Sequence, residues 1–378
     1  MILDDAQSAI YDAARRFAHE VLAPGAAGRD RSGDFPVALL RRMGTLGLMG
    51  VAVPERWGGA GGDRLALAAA VEAVSEGDAA IGTIMSTHNS LGCMPFLAYG
   101  SDEQRERFLV PLAKGELVGG FAVTESQAGS DASDIRVRAE RRGDGYVLSG
   151  AKQLVTSGSD AGVILVFART DADAGSRGIT CFIVTPDLPG FRVGRVEDKV
   201  GIRASGTAEL LFEDVELSAD RVLGKPGEGL KIALTSLSSS RIGIAAQAVG
   251  IAQAALDTAV AYAREREAFG KPIGEHQAVG FRLADMATQI EAARLLTRQA
   301  AWLVDSGQPY QVKSSMAKLF AGRMAERVCS DALQIHGGYG YLRDLPLERY
   351  WRDARICQIY EGTNEIQHLI ISRALLAG

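Results

Sequence analysis

Gly224-Lys225-Pro226-Gly227-Glu228-Gly229 separates two kinds of pattern in this chain. Glycine frees the backbone and proline stops regular elements, so a run this dense marks a junction. After it, residues 242–261, 276–304 and 312–335 form long amphipathic runs at helical spacing with few breakers. Before it, Tyr146-Val147-Leu148, 163–167, 179–184 and 210–217 are short and β-branched or alternating. Polar, glycine-bearing turns such as Gly143-Asp144-Gly145 and 171–178 divide them, as strands require. The helical period returns before Gly119. Ala9, Ile10, Ala13, Phe17 and Val21 recur at that spacing, and Pro24-Gly25 is expected to stop their helix. Residues 65–74 and 102–112 read as further helices, and 54–62 as a loop. Helices, strands and helices segregated in this order argue for α+β modules, divided at 1–118, 119–228 and 229–378, rather than an alternating α/β sheet.

The 378 residues are enough for two or three substantial cores. Hydrophobic residues make up 47% and charged residues 23%, an ordinary globular balance. A net charge of −5 gives no electrostatic reason to expect nucleic acid, and the C-terminus lacks a basic tail. The cysteines at 93, 181, 329 and 357 form no C-x-x-C pair, which fits buried thiols in a reducing compartment. Asp4 and Asp5 precede no apolar run, so no secretory signal is expected. No uncharged apolar run reaches the ~18 residues of a membrane span, and a soluble cytoplasmic protein is the expectation.

Several chemistries lack their residues. There is no G-x-G-x-x-G, since Arg343 fills the third glycine position after Gly338 and Gly340. There is no G-x-S-x-G. The five histidines are dispersed, and Ala23 stands where a second zinc ligand would follow His19-Glu20, so no metal site is expected.

Five segments remain. FAVTESQAGSD (121–131) presents hydroxyls and backbone N–H groups in a small-residue turn. It suits a polar ligand edge or a plain strand-to-loop transition. GAKQLVTS (150–157) places Thr156 to face a ligand or simply to serve a strand. QIHGGYGYLRDLPLERYWRD (334–353) ends one helix at Gly337 and starts another after Pro346. Its glycines suit phosphate oxygens or a helix cap. REREAFGK (264–271) is a basic helix end that complements the helix dipole, or a ligand contact, with Phe269 favouring the latter. YEGTNEIQ (360–367) sets Glu361 between Tyr360 and Gly362.

Together, in this order and spacing, these segments resemble the acyl-CoA dehydrogenase family along nearly the whole chain, from the 54–62 loop through Asn89-Ser90-Leu91-Gly92 to the C-terminus. The resemblance implies an N-terminal helical domain, a middle β-barrel domain and a C-terminal four-helix bundle, assembled as a homotetramer or dimer of dimers. It implies FAD near Phe121, Val123, Thr124, Gly129, Ser130, Leu154 and Thr156. Arg266, Phe269, Gln277, Gln334, Gly337 and Gly338 would hold its ADP part, some from a neighbouring subunit, with Thr363 and Glu365 nearby. The substrate would be an acyl-CoA, contacted by Ser130, Ser238, Arg241, Tyr360 and Gly362.

Glu361 matches the family's catalytic base. The resemblance implies that it abstracts the α-proton while the β-hydride leaves to flavin N5, with electrons passed to an electron-transfer flavoprotein. The thioester carbonyl would be held by the flavin ribityl hydroxyl and the base residue's N–H. Some members carry the base immediately before the residue matching Arg241; here that residue is Ser240, which cannot serve. Departures from the family pattern are Asp134 in place of a small residue, Leu154 in place of an aromatic, Ser157 in place of asparagine and Ser238 in place of aspartate. Leu154 leaves open an oxidase or a lyase on the same scaffold.

Overall fold

The computed structural model describes residues 2–377. Helices occupy the chain up to Ala113, strands run from Gly119 to Leu223, and helices return at Gly229. The first helix, Asp5–Phe17, opens with a reciprocal cap in which Asp4 and Gln7 satisfy each other's backbone N–H groups. It does not stop at Pro24. The chain widens into a π turn at Ala18–Leu22 and continues as Ala23–Ser32. Pro24 falls in the first turn of that segment, where its missing N–H costs nothing. The stop comes at Gly33, in the left-handed region at φ 74°.

The strands between Gly119 and Leu223 form one sheet in the order β6 (Phe191–Val196), β7 (Ala208–Leu217), β3 (Gly145–Val155), β2 (Arg138–Arg142), β4 (Val163–Arg169), β5 (Ile179–Val184) and β8 (Val222–Leu223), with β1 (Gly119–Ala122) parallel to β4, and a separate two-stranded ribbon pairs Glu267–Ala268 with Lys271–Pro272. The hydrogen-bonded order ends at β6 and β8 without closing into a ring. Strands β4 and β5 are buried on both faces and read as continuous apolar runs, which made them legible. Strands β2 and β6 are mostly exposed and polar, and the sequence pattern does not announce them.

The two helical regions share one core, in which Ala66, Ala70 and Ala73 of helix Arg64–Gly77 join Ala245, Ala248 and Ala252 of helix Gly229–Glu265. These helices approach so closely that a Cβ at Gly250 would lie 2.2 Å from the Glu72 carbonyl oxygen. Small side chains permit that distance, and the Arg294–Glu72 ion pair at 2.7 Å ties in helix Gln277–Asp305. Helix Gly229–Glu265 is long and apolar enough to span a membrane, but its apolar window is 72% buried inside the protein. Helix Gln311–His336 packs along it, and helices Leu347–Arg355 and Asn364–Leu376 close the bundle around the 356–363 turn.

Candidate active site

Glu361 sits on that turn in a conformation few non-glycine residues adopt. Its φ is 52° and that of Gly362 is 91°, so two consecutive residues are left-handed. Such strain persists only where surrounding contacts hold it, and it concentrates at functional sites. Two donors hold the Gly362 carbonyl: Lys318 Nζ at 2.6 Å and Gln367 Nε2 at 2.8 Å. Ser240, buried on the long helix, donates its hydroxyl to Glu361 Oε2. Glu361 Oε1 is buried with no hydrogen-bond partner.

Burial pushes the Glu361 carboxyl up to about 7, against the opposing effects of Ser240, Lys318 and Arg241. A carboxylate poised near neutrality with one free oxygen is equipped to accept a proton. Ser240→Ala removes the donor that favours the ionised form. The acidic limb of the kcat/KM–pH profile should then move to higher pH, whereas an unmoved limb would show that Ser240 does not tune the carboxylate.

Tyr360 donates to Gln247 Oε1, and Gln247 Nε2 donates to Thr83 Oγ1 at 2.6 Å and to the Ala79 carbonyl at 3.1 Å. This polar chain runs from half-buried Tyr360, beside Glu361, to buried Gln247 and Thr83, and joins the N-terminal helices to the long one. Arg241 is buried too, reaching Ser315 Oγ at 3.4 Å with its Nε unpaired. Glu361, Arg241, Tyr360 and Gly362 are thus gathered. Ser238 lies two residues before Ser240 on the long helix, its hydroxyl donating to the Leu234 carbonyl of that helix at 2.7 Å.

The 121–131 and 150–157 segments also meet. Gln153 N–H donates to the Thr124 carbonyl at 2.9 Å, and Lys152 Nζ to the Val123 carbonyl at 2.9 Å. Phe121 packs on Phe167, with ring centroids 4.8 Å apart. Strand β3 ends at Val155, so Thr156 lies in the following turn rather than in a strand. Leu154 at φ 55° and Ser157 at φ 59° break the extended run there. Leu154 is 60% exposed, and Ser157 Oγ is buried without a partner. Gly129 and Ser130 are exposed in the adjoining loop.

A cavity of about 470 Å³ unites Arg266 with Gly337 and Gly338, lined also by Tyr262 and His336, whose rings stack 4.2 Å apart. Gly337 (φ 59°) caps the helix, yet a Cβ at Gly337 or Gly338 would meet nothing within 4 Å, leaving their backbone open. Phe269 (97% exposed), Gln277 and Gln334 are exposed and outside this lining. Thr363 stands at the N-cap position of the last helix without a side-chain capping bond, and Glu365 is exposed in its first turn.

Residues 4–116, 120–215 and 227–376 match, in turn, the N-terminal, middle and C-terminal domains of acyl-CoA dehydrogenases. The chain belongs to the acyl-CoA dehydrogenase family. It is 47% identical to the mitochondrial short-chain specific acyl-CoA dehydrogenase of Bos taurus, over 99% of this chain and 91% of that one. Its fold matches butyryl-CoA dehydrogenase from Megasphaera elsdenii with a TM-score of 0.98 at 43% identity, covering 100% of this chain and 99% of that one. A chain in a structure described as the electron transferring flavoprotein of Acidaminococcus fermentans matches with a TM-score of 0.99 at 46% identity, each chain fully covered.

The sequence pattern missed four buried polar residues in this acyl-CoA dehydrogenase. Gln247 and Lys318 belong to no segment read as functional, and Glu125 and Lys152 lie inside the 121–131 and 150–157 segments without being singled out there. Lys318 had a signal: it shares a helical stripe with Ser314, Ala321, Gly322 and Ala325, all buried.

Proposed function

We propose that this chain is an FAD-dependent dehydrogenase of short acyl-CoA thioesters, forming the 2,3-enoyl thioester and delivering electrons to an electron-transfer flavoprotein. The observation that carries this reading is Glu361, one buried carboxylate with an unpaired oxygen on a held left-handed turn.

FAD fits the residues present. Thr124, Leu154 and Thr156 lie on two segments bonded to each other, with an unpartnered buried hydroxyl, Ser157 Oγ, alongside. Phe121 and Val123 back them, and the open Gly129–Ser130 backbone extends them. Arg266 with the free backbone at Gly337 and Gly338 suits a diphosphate. Bound FAD supplies the acceptor for the β-hydride. Glu361 takes the α-proton on a carboxylate oxygen. Ser240 holds the other oxygen, and Oε1 is shielded from solvent. The Glu361 N–H and Arg241, with Tyr360 and Gly362, would orient the thioester.

The exposure of Phe269, Gln277, Gln334 and Glu365 supports their completing a neighbour's site in a homotetramer. A rolled middle domain, and the divisions at residues 118 and 228, accord with one apolar cluster joining Ile164, Phe182, Leu210 and Phe212 from strands far apart in the sheet order. The likeness to bacterial acyl-CoA dehydrogenases supports a cytoplasmic enzyme.

The likeness to short-chain specific relatives supports the short-chain preference, and the Tyr360–Gln247–Thr83 chain beside Glu361 would be the polar stop for the acyl tail. Anaerobic titration with an acyl-CoA series should bleach the flavin most readily with butyryl-CoA. No bleaching by any saturated acyl-CoA would defeat the dehydrogenase reading, and peroxide release without an added acceptor would favour an oxidase. Gln247→Ala should raise the octanoyl-to-butyryl ratio of kcat/KM by about tenfold or more. An unchanged ratio would remove Gln247 from the pocket floor.

A further inference from the structure

Lys318 is a buried lysine in no ion pair among the described residues. Its side chain is wholly enclosed, and its one direct hydrogen bond is the 2.6 Å donation to the Gly362 carbonyl. Burying an ammonium without a carboxylate partner is costly, and most buried charges are paired. The carbonyl it selects belongs to the residue immediately after the base. We propose that Lys318 is a positioning residue for Glu361: its ammonium pins the left-handed turn that aims the base and supplies the positive charge that favours a buried carboxylate.

Three observations converge on this. The turn needs an external hold, because Glu361 and Gly362 are both at positive φ. Of the two donors on the Gly362 carbonyl, Gln367 lies on the adjoining helix, so Lys318 is the one that ties this carbonyl to helix Gln311–His336, while Gln358, earlier in the turn, donates to Glu326 of that helix. The titratable groups acting on the ammonium are Glu361 on the turn itself, the Cys357 thiol before it, which burial pushes up to about 12 and keeps neutral, Glu365 on the last helix and Arg241 on the long helix. Around Glu361 the charged neighbours are Lys318 and Arg241, with Tyr360 beside it. Arg241 is the second cation, but no bond from it to the turn is present, and it reaches Ser315 instead. Burial lowers Lys318 to about 8, so its charge is retained at neutral pH, and Glu361 is in turn one of the groups that sustain it.

This inference rests on Glu361 being the base, so its test is read without turnover. The protonated-carboxyl band of Glu361 is titrated by infrared difference spectroscopy on the FAD-loaded enzyme, with Glu361→Gln identifying the band. Lys318→Gln keeps a donor for the carbonyl but loses the charge. It should move the Glu361 titration up by about one pH unit, a tenfold loss of carboxylate on the acidic side. Lys318→Met should move it at least as far, and Lys318→Arg should leave it near the wild-type position. In the same variants the acidic limb of acyl-CoA-driven flavin reduction should follow the infrared titration.

An unmoved titration in a folded Lys318→Gln or Lys318→Met enzyme would overturn the proposal. So would loss of fold in both neutral variants with Lys318→Arg intact, which would make the residue structural only. A wild-type enzyme that no acyl-CoA reduces would instead count against the dehydrogenase reading, leaving the infrared result to stand by itself.

Discussion

Glu361→Gln should leave the protein folded and yellow but slow flavin reduction by butyryl-CoA by about 10²–10⁴-fold, the usual contribution of a positioned general base. Glutamine keeps the size of the side chain and can still accept the Ser240 hydroxyl, so the turn and its contacts should persist. What is lost is the oxygen able to take a proton. The wild-type pH profile supplies the companion observation. Because burial holds the carboxyl up at about 7, the ionised fraction grows as pH rises through that value. Thus kcat/KM should climb about tenfold per pH unit well below 7 and level off above it. The Gln variant should lose this limb altogether. Full activity in Glu361→Gln would move the base elsewhere, and the alternative family position, held here by Ser240, carries no carboxylate. The measurement is anaerobic stopped-flow bleaching of the flavin, which isolates the step from electron transfer to any acceptor.

How much of this was legible in the sequence depends on the range of the interactions concerned. The long helices and the buried strands were legible because each carries its period locally, over ten or more residues or along a continuous apolar run. Pro24 misled because a π turn, set by packing with helix Arg64–Gly77, carries the chain past it. The 150–157 pattern reads as a strand through Thr156 because the break at Leu154 is a positive-φ residue with no glycine to announce it. Within the site, Glu361 was legible through its flanking residues, yet its environment was not. Ser240 lies 121 residues away and Lys318 lies 43 away, and pairings at that distance leave no pattern in either segment. The ADP-side residues divide for a similar reason. Arg266 and the Gly337–Gly338 backbone meet within one chain, whereas Phe269 and Gln277 face outward, which a single sequence does not reveal.

Lys152→Met should be the most destabilising single change in the strand region, by about 3–5 kcal/mol, the range for stripping one partner from a buried ion pair. Lys152 is fully buried in β3, with Nζ 2.7 Å from Glu125 Oε1. Glu125 also accepts from the backbone N–H groups of Arg136 at 2.8 Å and Val137 at 3.1 Å, and from Gln127 Nε2 at 2.8 Å. Burial alone would raise the Glu125 carboxyl; Lys152 and these donors outweigh it and hold the group below its ordinary value. Burial lowers Lys152 to about 8, with Glu125 opposing, so both members are ionised at neutral pH. Removing the lysine leaves a buried anion with no cation, while removing both charges leaves none to strand. Glu125→Leu combined with Lys152→Met should therefore be more stable than Lys152→Met alone, and the pair should deviate strongly from additivity in a denaturant-unfolding cycle. The same pair joins the Val123–Glu125 and 150–157 segments proposed to bracket the flavin. The single variant should accordingly lose FAD on dilution more readily than wild type, measured by fluorescence of the released flavin. Additive stabilities in the cycle would show that the two charges act independently, and the ion pair would then have no part in holding the two segments together.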